Sequence, residues 1–259
     1  MTRDHNGVLW QTGDHYQTDK ALTGNCGATA LFRSDDQGLT WKKVTRWQWQ
    51  LQNLGKEGQT GGAIAGPHGV AVMLRDGNLL GFGRRANIEG NLIQSLSKDG
   101  GRSWTYSRSE FPCIRGGQRP SLLRLREGPI MFVAYTGPQT IPGHGKIASF
   151  EQPLTLAKSL GGMTFTDAAG KEYTGYGLYA AVSYDEGQTW KTRKLITPGG
   201  PRRVMFGGAH HHHFVMDDTH AETGGYSYAT QTPDGVIHLI TSNLHYRFNL
   251  KWLQTPARR

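Results

Sequence analysis

Short apolar blocks alternate with tight turns along most of the chain. The blocks GVAVMLR at 69–75 and NLLGFG at 78–83, for example, flank an Asp-Gly pair. Apolar blocks of this length are typical of β-strands, and Asp-Gly or Asn-Gly pairs are strong signals for two-residue hairpin turns. Similar turn-and-strand segments recur at 5–13, 126–137 and 233–242. The pattern therefore predicts an all-β chain of short antiparallel hairpins.

An octet of the form Ser-x-Asp-x-Gly-x-Thr/Ser-Trp occurs three times, at 34–41, 97–104 and 183–190. In such a turn a short acidic side chain can bond backbone amides, and glycine can supply a strained dihedral. The large Trp ring can pack between sheets. We therefore expect structural roles for the octet residues, which are Asp36, Asp99, Asp185, Trp41, Trp104 and Trp190.

The hairpins and octets combine into repeating units of four strands. One unit comprises a strand at 69–75, a second at 78–83, a loop at 84–90, a third at 91–97, and a fourth that begins after the octet. Units of four short strands with a fixed motif are typical of β-propeller blades. The first unit lacks its first strand, because only MTRDH precedes its hairpin, and the last unit stops after about three strands. We therefore predict one β-propeller domain over residues 1–259 with about three and a half four-stranded blades.

The octets resemble Asp-boxes, the repeats of the sialidase superfamily. The segments AGPHGVAVMLRDGNLLGFGR, GGQRPSLLRLREGP and ATQTPDGVIHLITSNLHYRFNLKWL also resemble bacterial sialidase-like proteins, and the resemblance covers most of the chain. It implies a six-bladed type of propeller, of which this chain would be the C-terminal part. An alternative is that two chains complete each other as a homo-oligomer.

The resemblance also implies what kind of ligand the chain would bind. Sialidase-like proteins hold the carboxylate of their ligand with arginines of the inner strands, and Arg119-Pro120 resembles one of those positions. The implied partner is a glycan with an acidic sugar, either sialic acid or a uronate. In the sequence we find neither a complete set of three matching arginines nor a Tyr-Glu nucleophile pair.

The candidate chemistry lies at one edge of the predicted blades. The octet edge consists of short turns, whereas the opposite edge holds long loops, including an insert at 137–174 and a segment at 201–226. Function tends to lie on loops that a rigid scaffold holds. His68 and Arg119 directly precede the first strands of neighbouring blades. We therefore expect their side chains to point into one central pocket.

Several residues at this edge are candidates for a site, and each has a structural alternative as a loop hydrogen-bonding group or an ion-pair partner. Arginine can bind a carboxylate through two parallel hydrogen bonds, and imidazole can exchange a proton near neutral pH. A glycosidase needs a carboxyl acid or base, and a tyrosine can act as a nucleophile or proton donor. The substrate-binding candidates are Arg84, Arg85, Arg119, Arg247 and His15, with Arg202 as a weaker one. The catalytic candidates are His68, Glu89, Asp218 and Tyr246, with Asp217, Glu222 and Tyr135 in the same group.

The composition and charge of the chain limit the kinds of ligand and partner that we expect it to bind. The net charge is +9, but the Lys and Arg residues are scattered, which favours local anion sites over a nucleic-acid groove. No run of 18 apolar residues predicts a membrane span. The N-terminal residues lack the apolar core of a signal peptide, so we expect either a cytoplasmic protein or one whose leader is missing here.

Neither the cysteines nor the histidines predict a cofactor. Cys26 and Cys113 are far apart and are expected to be free thiols. The tract HHHH at 210–213 does not define the ligand geometry of a metal site, so we expect no metal and no cofactor.

Three functions remain open at this stage. The first is a sialidase-like exo-glycosidase that removes a terminal acidic sugar. The second is a polysaccharide lyase or a uronate-specific glycosidase, in which His68 and a tyrosine would transfer protons. The third is a non-catalytic sugar-binding propeller or an inactive fragment. The products distinguish them, because a lyase makes an unsaturated sugar, a sialidase releases free sialic acid and a binding module releases nothing.

Overall fold

The structure is a computed structural model that describes residues 2–4, 6–15, 27–45, 56–114, 117–137, 161–205 and 213–257. Within these ranges the chain forms β-strands and one short helix, and no helix is long and apolar enough to cross a membrane. The chain divides into two compact units, Met1–Cys113 and Ile114–Arg259. The prediction of a single domain over residues 1–259 stays a prediction.

Unit 1 contains two antiparallel sheets, with the orders β1-β2-β3-β4 and β5-β10-β9-β8-β7, and β6 pairs with β3. Its strands are β1 Thr2–Arg3, β2 Leu9–His15, β3 Ala28–Ser34, β4 Lys42–Lys43, β5 Thr60–Gly61, β6 Ile64–Ala65, β7 Val70–Met73, β8 Leu79–Ile88, β9 Asn91–Ser97 and β10 Trp104–Pro112.

Two sequence expectations for unit 1 are wrong. The first sheet does have a first strand, because Thr2 and Arg3 pair with β2. The Asp4 carboxylate binds the amides of the following turn, so that very few residues are enough to make the hairpin. The expected loop at 84–90 is mostly strand, since β8 continues to Ile88 past an irregularity in its register. The turn is only Glu89-Gly90, and its two positive φ angles, 50° and 83°, are those of a tight hairpin turn.

Unit 2 contains a four-stranded sheet β12-β13-β16-β17 and a three-stranded sheet β21-β22-β23, with smaller pairs β11-β20, β14-β15 and β18-β19. Its strands are β11 Gln118–Arg119, β12 Ser121–Arg124, β13 Ile130–Tyr135, β14 Met163–Thr166, β15 Glu172–Gly175, β16 Leu178–Ser183, β17 Thr192–Leu195, β18 Arg203–Met205, β19 Phe214–Met216, β20 Gly225–Tyr226, β21 Tyr228–Gln231, β22 Ile237–Ile240 and β23 His245–Phe248. The helix α1, Leu250–Gln254, follows β23. The described part of the long insert therefore contains a hairpin, β14-β15.

The four larger sheets are meanders of the blade type, and the all-β propeller fold class predicted from the sequence is confirmed. The middle strands β13 and β16 are buried at every residue. This explains their continuous apolar sequence, because a strand that is covered on both faces need not alternate. The last sheet has three strands and no octet, as the sequence predicts.

The octets form the turns β3-β4, β9-β10 and β16-β17, all between the third and fourth strands of a sheet. In the third octet the Asp185 carboxylate accepts hydrogen bonds from the Ser183 hydroxyl at 2.8 Å and the Thr189 amide at 2.8 Å. The octets of Asp36 and Asp99 have the same bonds. Burial raises the pKa of Asp185, but the bonds from Thr189 and Ser183 outweigh it and lower the pKa to about 2.

The octet Trp residues do not share one environment. Trp104 and Trp190 are 0% and 2% exposed, whereas Trp41 is 37% exposed. Trp104 packs in a core with Trp10 and Leu31 of the first sheet. Trp41 belongs to that first sheet itself, and the described part of unit 1 supplies no preceding sheet to cover it. The expectation that the octet Trp packs between sheets is therefore wrong for Trp41.

Candidate functional site

Glu222 is a fully buried carboxylic acid in the connection that precedes β20 of unit 2. Its Oε2 atom accepts hydrogen bonds from the Thr241 hydroxyl at 2.8 Å and from the Tyr246 hydroxyl at 2.9 Å. Its Oε1 atom accepts one from Asn243 Nδ2 at 2.7 Å. Thr241 and Asn243 lie between β22 and β23, and Tyr246 lies in β23. Three side chains from one loop and strand thus converge on a single carboxyl group.

The backbone around Glu222 fixes its position. The Glu222 carbonyl accepts a hydrogen bond from the Leu178 amide at 2.8 Å, which ties the connection to the start of β16. Gly177, with φ +104°, allows this approach, because a Cβ atom there would lie 2.5 Å from the Ala221 carbonyl oxygen. The carboxyl group of Glu222 is therefore held by both its backbone and its side-chain partners.

Burial controls the protonation of this cluster. Burial raises the pKa of Glu222, although the hydrogen bonds from Thr241, Asn243 and Tyr246 lower it in part. Burial, and then the charge of Glu222, raise the pKa of both Tyr246 and Tyr135. Tyr135 also donates a hydrogen bond to the Gly225 carbonyl at 2.9 Å. Tyr246 can therefore give up its proton readily only if Glu222 takes it, since two negative charges in this site would repel each other.

Tyr246 also lines a cleft of about 400 Å³ in unit 2. The charged and polar residues of its wall include Arg203 of β18, and His245 and Arg247 of β23. Among the described residues, neither arginine makes an ion pair. The apolar part of the wall is formed mainly by Ile196, Pro198, Met205, Met216, Phe248 and Trp252. An apolar cleft with two available guanidinium groups suits a ligand that carries a carboxylate.

No Tyr-Glu nucleophile pair could be identified from the sequence, whereas the structure brings Tyr246 and Glu222 into hydrogen-bond contact. The two residues are far apart in sequence, and only the fold brings them together. Tyr246 and Arg247 were candidates from the sequence, and Glu222 was one of several carboxylates at the correct edge. Arg203 was missed, because a basic residue in a long connection carries no signal of its direction.

Arg119 lies in β11, which pairs in parallel with β20 of the same unit. Its carbonyl accepts a hydrogen bond from the Ser227 hydroxyl at 2.7 Å. Its guanidinium group makes no ion pair with any residue that the structure describes, so the expected structural alternative, pairing with a neighbouring acid, is not found there. Arg119 stays a candidate for binding an anion.

His68 of unit 1 has a partner that the sequence did not identify. Its Nδ1 atom and its backbone amide both contact the carboxylate of Asp14, which lies in β2. The Thr29 hydroxyl holds the same loop by bonding the Gly66 carbonyl at 2.8 Å and the Gly69 amide at 2.7 Å. His68 has a φ of 54° and is 8% exposed. Such strained, buried, paired residues are found at functional sites more often than elsewhere.

The remaining candidates are placed as follows. Arg84 and Arg85 lie in β8, where Arg84 is buried and Arg85 has a φ of 69°. Glu89 forms a surface ion pair with Arg108 at 2.9 Å. Asp218 accepts a hydrogen bond from the Gly200 amide at 2.8 Å, which joins it to the segment between β17 and β18. The ligand-binding and catalytic roles of these residues stay predictions.

Some predictions concern residues whose side chains lie outside the described part of the chain, or residues that belong to different units. His15 ends β2, and its side chain lies outside the described part. His68 and Arg119 belong to different units, so their shared pocket stays a prediction. Cys113 is buried, and its thiol contacts the Arg85 carbonyl at 3.6 Å, whereas Cys26 and most of the tract at 210–213 lie outside the described residues. Arg202 forms an ion pair with Asp217 at 2.9 Å.

The chain is similar to several solved structures. A protein of unknown function from Dyadobacter fermentans is 16% identical, with 95% of this chain and 50% of that chain covered and a TM-score of 0.45. A Hadza microbial sialidase is 15% identical, with 96% and 36% covered and a TM-score of 0.49. An α-L-arabinofuranosidase from Fusarium graminearum is 12% identical, with 95% and 73% covered and a TM-score of 0.41. The chain thus spans half of the first protein and about a third of the second.

No curated protein matches the chain. A family model, in contrast, matches residues 5–239, which is nearly the whole chain, and its description is BNR repeat-like domain. The match includes all three octets, the buried middle strands and Glu222. The chain belongs to the BNR repeat-like domain family.

Proposed function

We propose that unit 2 carries a glycosidase site that removes a terminal acidic sugar, either sialic acid or a uronate, from a glycan. The observation that carries the proposal is the hydrogen bond between Tyr246 and the buried Glu222. Tyr246 is among the residues that line the same cleft as Arg203 and Arg247, although Tyr246 and Arg247 alternate along β23 and project from opposite faces of that strand. The two solved glycosidases named above are compatible with this proposal but add no argument to it.

The roles follow from the chemistry of the groups. The Tyr246 oxygen would attack the anomeric carbon while its proton passes to Glu222, so that no isolated tyrosinate forms in the buried site. The bond from the anomeric carbon to the leaving oxygen breaks, and an aryl leaving group departs as a phenolate. In the second step water attacks the anomeric carbon, the bond from that carbon to the Tyr246 oxygen breaks, and Glu222 returns its proton to that oxygen. The proton that the attacking water loses passes to bulk solvent, where it balances the phenolate released in the first step. Two displacements at one carbon predict retention of configuration.

The guanidinium groups would select the substrate. Arg247 and Arg203 lie on the cleft without ion-pair partners among the described residues, and either can bind a carboxylate through two hydrogen bonds. A neutral sugar would leave these charges without a ligand. We therefore expect acidic sugars to be turned over and the matching neutral sugars not to be.

The experiment uses aryl glycosides of sialic acid, of glucuronic acid and of glucose, and it measures both the released phenol and the sugar product. Tyr246→Phe removes only the hydroxyl and should lower kcat about 100-fold or more, the size of effect typical for loss of one catalytic group. Tyr228→Phe is the matched control, because Tyr228 lies in the same sheet but is 56% exposed. Equal rates for the two variants would contradict the proposal.

A second function has its own observation, the pair of Asp14 and His68 in unit 1. A histidine oriented by a carboxylate can abstract a proton, as in the elimination catalysed by a polysaccharide lyase. This function predicts an unsaturated sugar product and loss of activity in His68→Ala with Tyr246→Phe unaffected. If an acidic sugar binds and no product forms with any polymer or aryl glycoside, the non-catalytic reading takes the place of both.

A further inference from the structure

Two imidazoles meet on the exposed face of the last sheet. His238 of β22 is the register partner of Arg247 in β23, and His245 lies two residues before Arg247. His238 and His245 therefore project from the same face of the sheet. The distance from His238 Nδ1 to His245 Nε2 is 3.1 Å.

The rings meet through their nitrogen atoms. Their centroids are 5.2 Å apart and their planes differ by 17°. A centroid distance this long, combined with a short distance between nitrogens, means that the rings lie end to end rather than face to face. Among the described residues this contact is the one hydrogen bond that either imidazole makes, so no other hydrogen bond has to break when the rings turn toward a common ligand.

We propose that His238 and His245 form a two-histidine site for a divalent transition-metal ion such as Cu²⁺ or Zn²⁺. Two nitrogen ligands on a tetrahedral ion, each about 2.0–2.1 Å from it, are about 3.3 Å apart. The observed separation of 3.1 Å is close to this spacing. A small rotation of both rings would direct their lone pairs at one ion, which replaces the shared proton.

The class of metal follows from the ligands. Imidazole nitrogen suits copper, nickel and zinc, and the expected order of affinity places Cu²⁺ above Zn²⁺. Two protein ligands leave coordination positions open to water or to an anionic oxygen. His245 is exposed and lines the same cleft as Tyr246, so these open positions would lie beside the cleft. The metal proposal does not depend on the glycosidase proposal.

The charge beside the pair opposes a metal ion. Arg247 is the register partner of His238 and disfavours a nearby cation. Removing the positive charge of Arg247 should therefore tighten cation binding. Acid should weaken it, because a protonated imidazole cannot ligate a metal.

The test must first remove the other histidine-rich element of the chain. The background protein carries four substitutions in the consecutive histidines, which are His210→Asn, His211→Asn, His212→Asn and His213→Asn. In this background Cu²⁺ and Zn²⁺ binding is measured by titration calorimetry, and the nitrogen ligands of bound Cu²⁺ are counted by electron paramagnetic resonance.

The proposal expects one ion per chain with two nitrogen ligands. His238→Gln and His245→Gln should each raise the Kd at least tenfold, and Arg247→Gln should lower it. Thr230→Ala is the control, because Thr230 is exposed and is the register partner of His238 in β21, and it should leave the Kd unchanged. Absence of binding in the background protein would overturn the proposal, and so would binding that neither histidine variant weakens.

Discussion

Glu222 has no contact with solvent, so the location of its proton determines what the cluster around it can do. The carboxyl group accepts bonds from Tyr246, Thr241 and Asn243. Removing the carboxyl group therefore removes three hydrogen bonds at once. At the residue scale, both the proposed catalysis and the stability of the site therefore depend on one side chain.

Glu222→Gln separates these two roles. The amide keeps a carbonyl oxygen for hydrogen bonding but cannot take a proton, so kcat on an acidic aryl glycoside should fall about 100-fold or more. Glu222→Ala should in addition lower the free energy of unfolding by about 1–3 kcal/mol, because it removes three hydrogen bonds to a buried carboxyl group. Urea unfolding and steady-state kinetics measure both effects. A Glu222→Gln variant with full activity would remove Glu222 from the mechanism.

The pH dependence of the free energy of unfolding should show the titration of Glu222. Because its folded-state pKa is raised, Glu222 favours folding most at low pH, and this contribution is lost as pH rises from the ordinary value of 4.5 through the raised pKa. Glu222→Gln removes the titration. The stability of wild type relative to this variant should therefore decrease as pH rises above 4.5, as measured by urea unfolding at several pH values. A constant difference between the two proteins would contradict the raised pKa.

The pKa values of the octet aspartates are shifted in the opposite direction, so their contribution to stability depends on pH in the opposite way. The hydrogen bonds of Asp185 lower its pKa from 3.8 to about 2, so its contribution to stability is present above pH 3.8 and is lost as pH falls toward 2. Between pH 3.8 and pH 2, the free energy of unfolding of Asp185→Asn should therefore decrease less than that of wild type. Thermal unfolding between pH 5 and pH 2 checks this, and parallel curves for the two proteins would refute it.

At the scale of elements, the same octet sequence produces different packing at different positions. Trp104 is buried in a core with residues of the first sheet, whereas Trp41 is outside that core and is 37% exposed. The repeat predicts a tryptophan at the end of each octet, but the burial of its ring depends on which sheet packs against it. A repeat pattern contains no information about that neighbour.

The difference in burial between Trp104 and Trp41 can be tested by comparing the same substitution at both positions. Trp104→Ala should lower the free energy of unfolding by about 3–5 kcal/mol, the range for truncation of a buried aromatic residue. Trp41→Ala should have less than half of that effect, because much of its ring is already in contact with water. Urea unfolding of the two variants tests the comparison, which fails if Trp41→Ala is as destabilising as Trp104→Ala.

The elements also show where sequence patterns were sufficient. Hairpins at Asp-Gly pairs and the octet turns were predicted correctly, because local turn chemistry determines them. The expected loop at 84–90 is mostly strand, since the polar residues Arg84 and Arg85 interrupt the apolar pattern without ending the backbone pairing. The pairs Tyr246–Glu222 and His68–Asp14 could not be predicted, because each joins distant segments of sequence.

At the scale of the whole molecule, the net charge of +9 does not by itself account for the proposed preference for acidic sugars. The positive charge is spread along the chain, and salt screens exposed charges that lie more than about 10 Å apart. A local pair of guanidinium groups at the cleft provides the more specific explanation.

Two substitutions with the same change in net charge separate these explanations. Arg247→Gln should weaken binding of an acidic sugar about tenfold or more, because hydrogen bonds to charged groups contribute about 1.5–3 kcal/mol. Arg126→Gln, at an exposed position outside the cleft wall, should change the Kd much less. Calorimetric titration with sialic acid and glucuronic acid measures both, and equal effects would favour the net charge.

The most direct test of the central claim is whether Tyr246 forms a bond to the sugar. An acidic sugar with fluorine next to the anomeric carbon and an aryl leaving group should react once and then persist on the enzyme, because fluorine destabilises the oxocarbenium-like transition state of the second step. Mass spectrometry of the digested protein should place the adduct on Tyr246, with no adduct in Tyr246→Phe and a full adduct in Tyr228→Phe. Release of the aryl group without an adduct on Tyr246, or an undiminished adduct in Tyr246→Phe, would contradict the account.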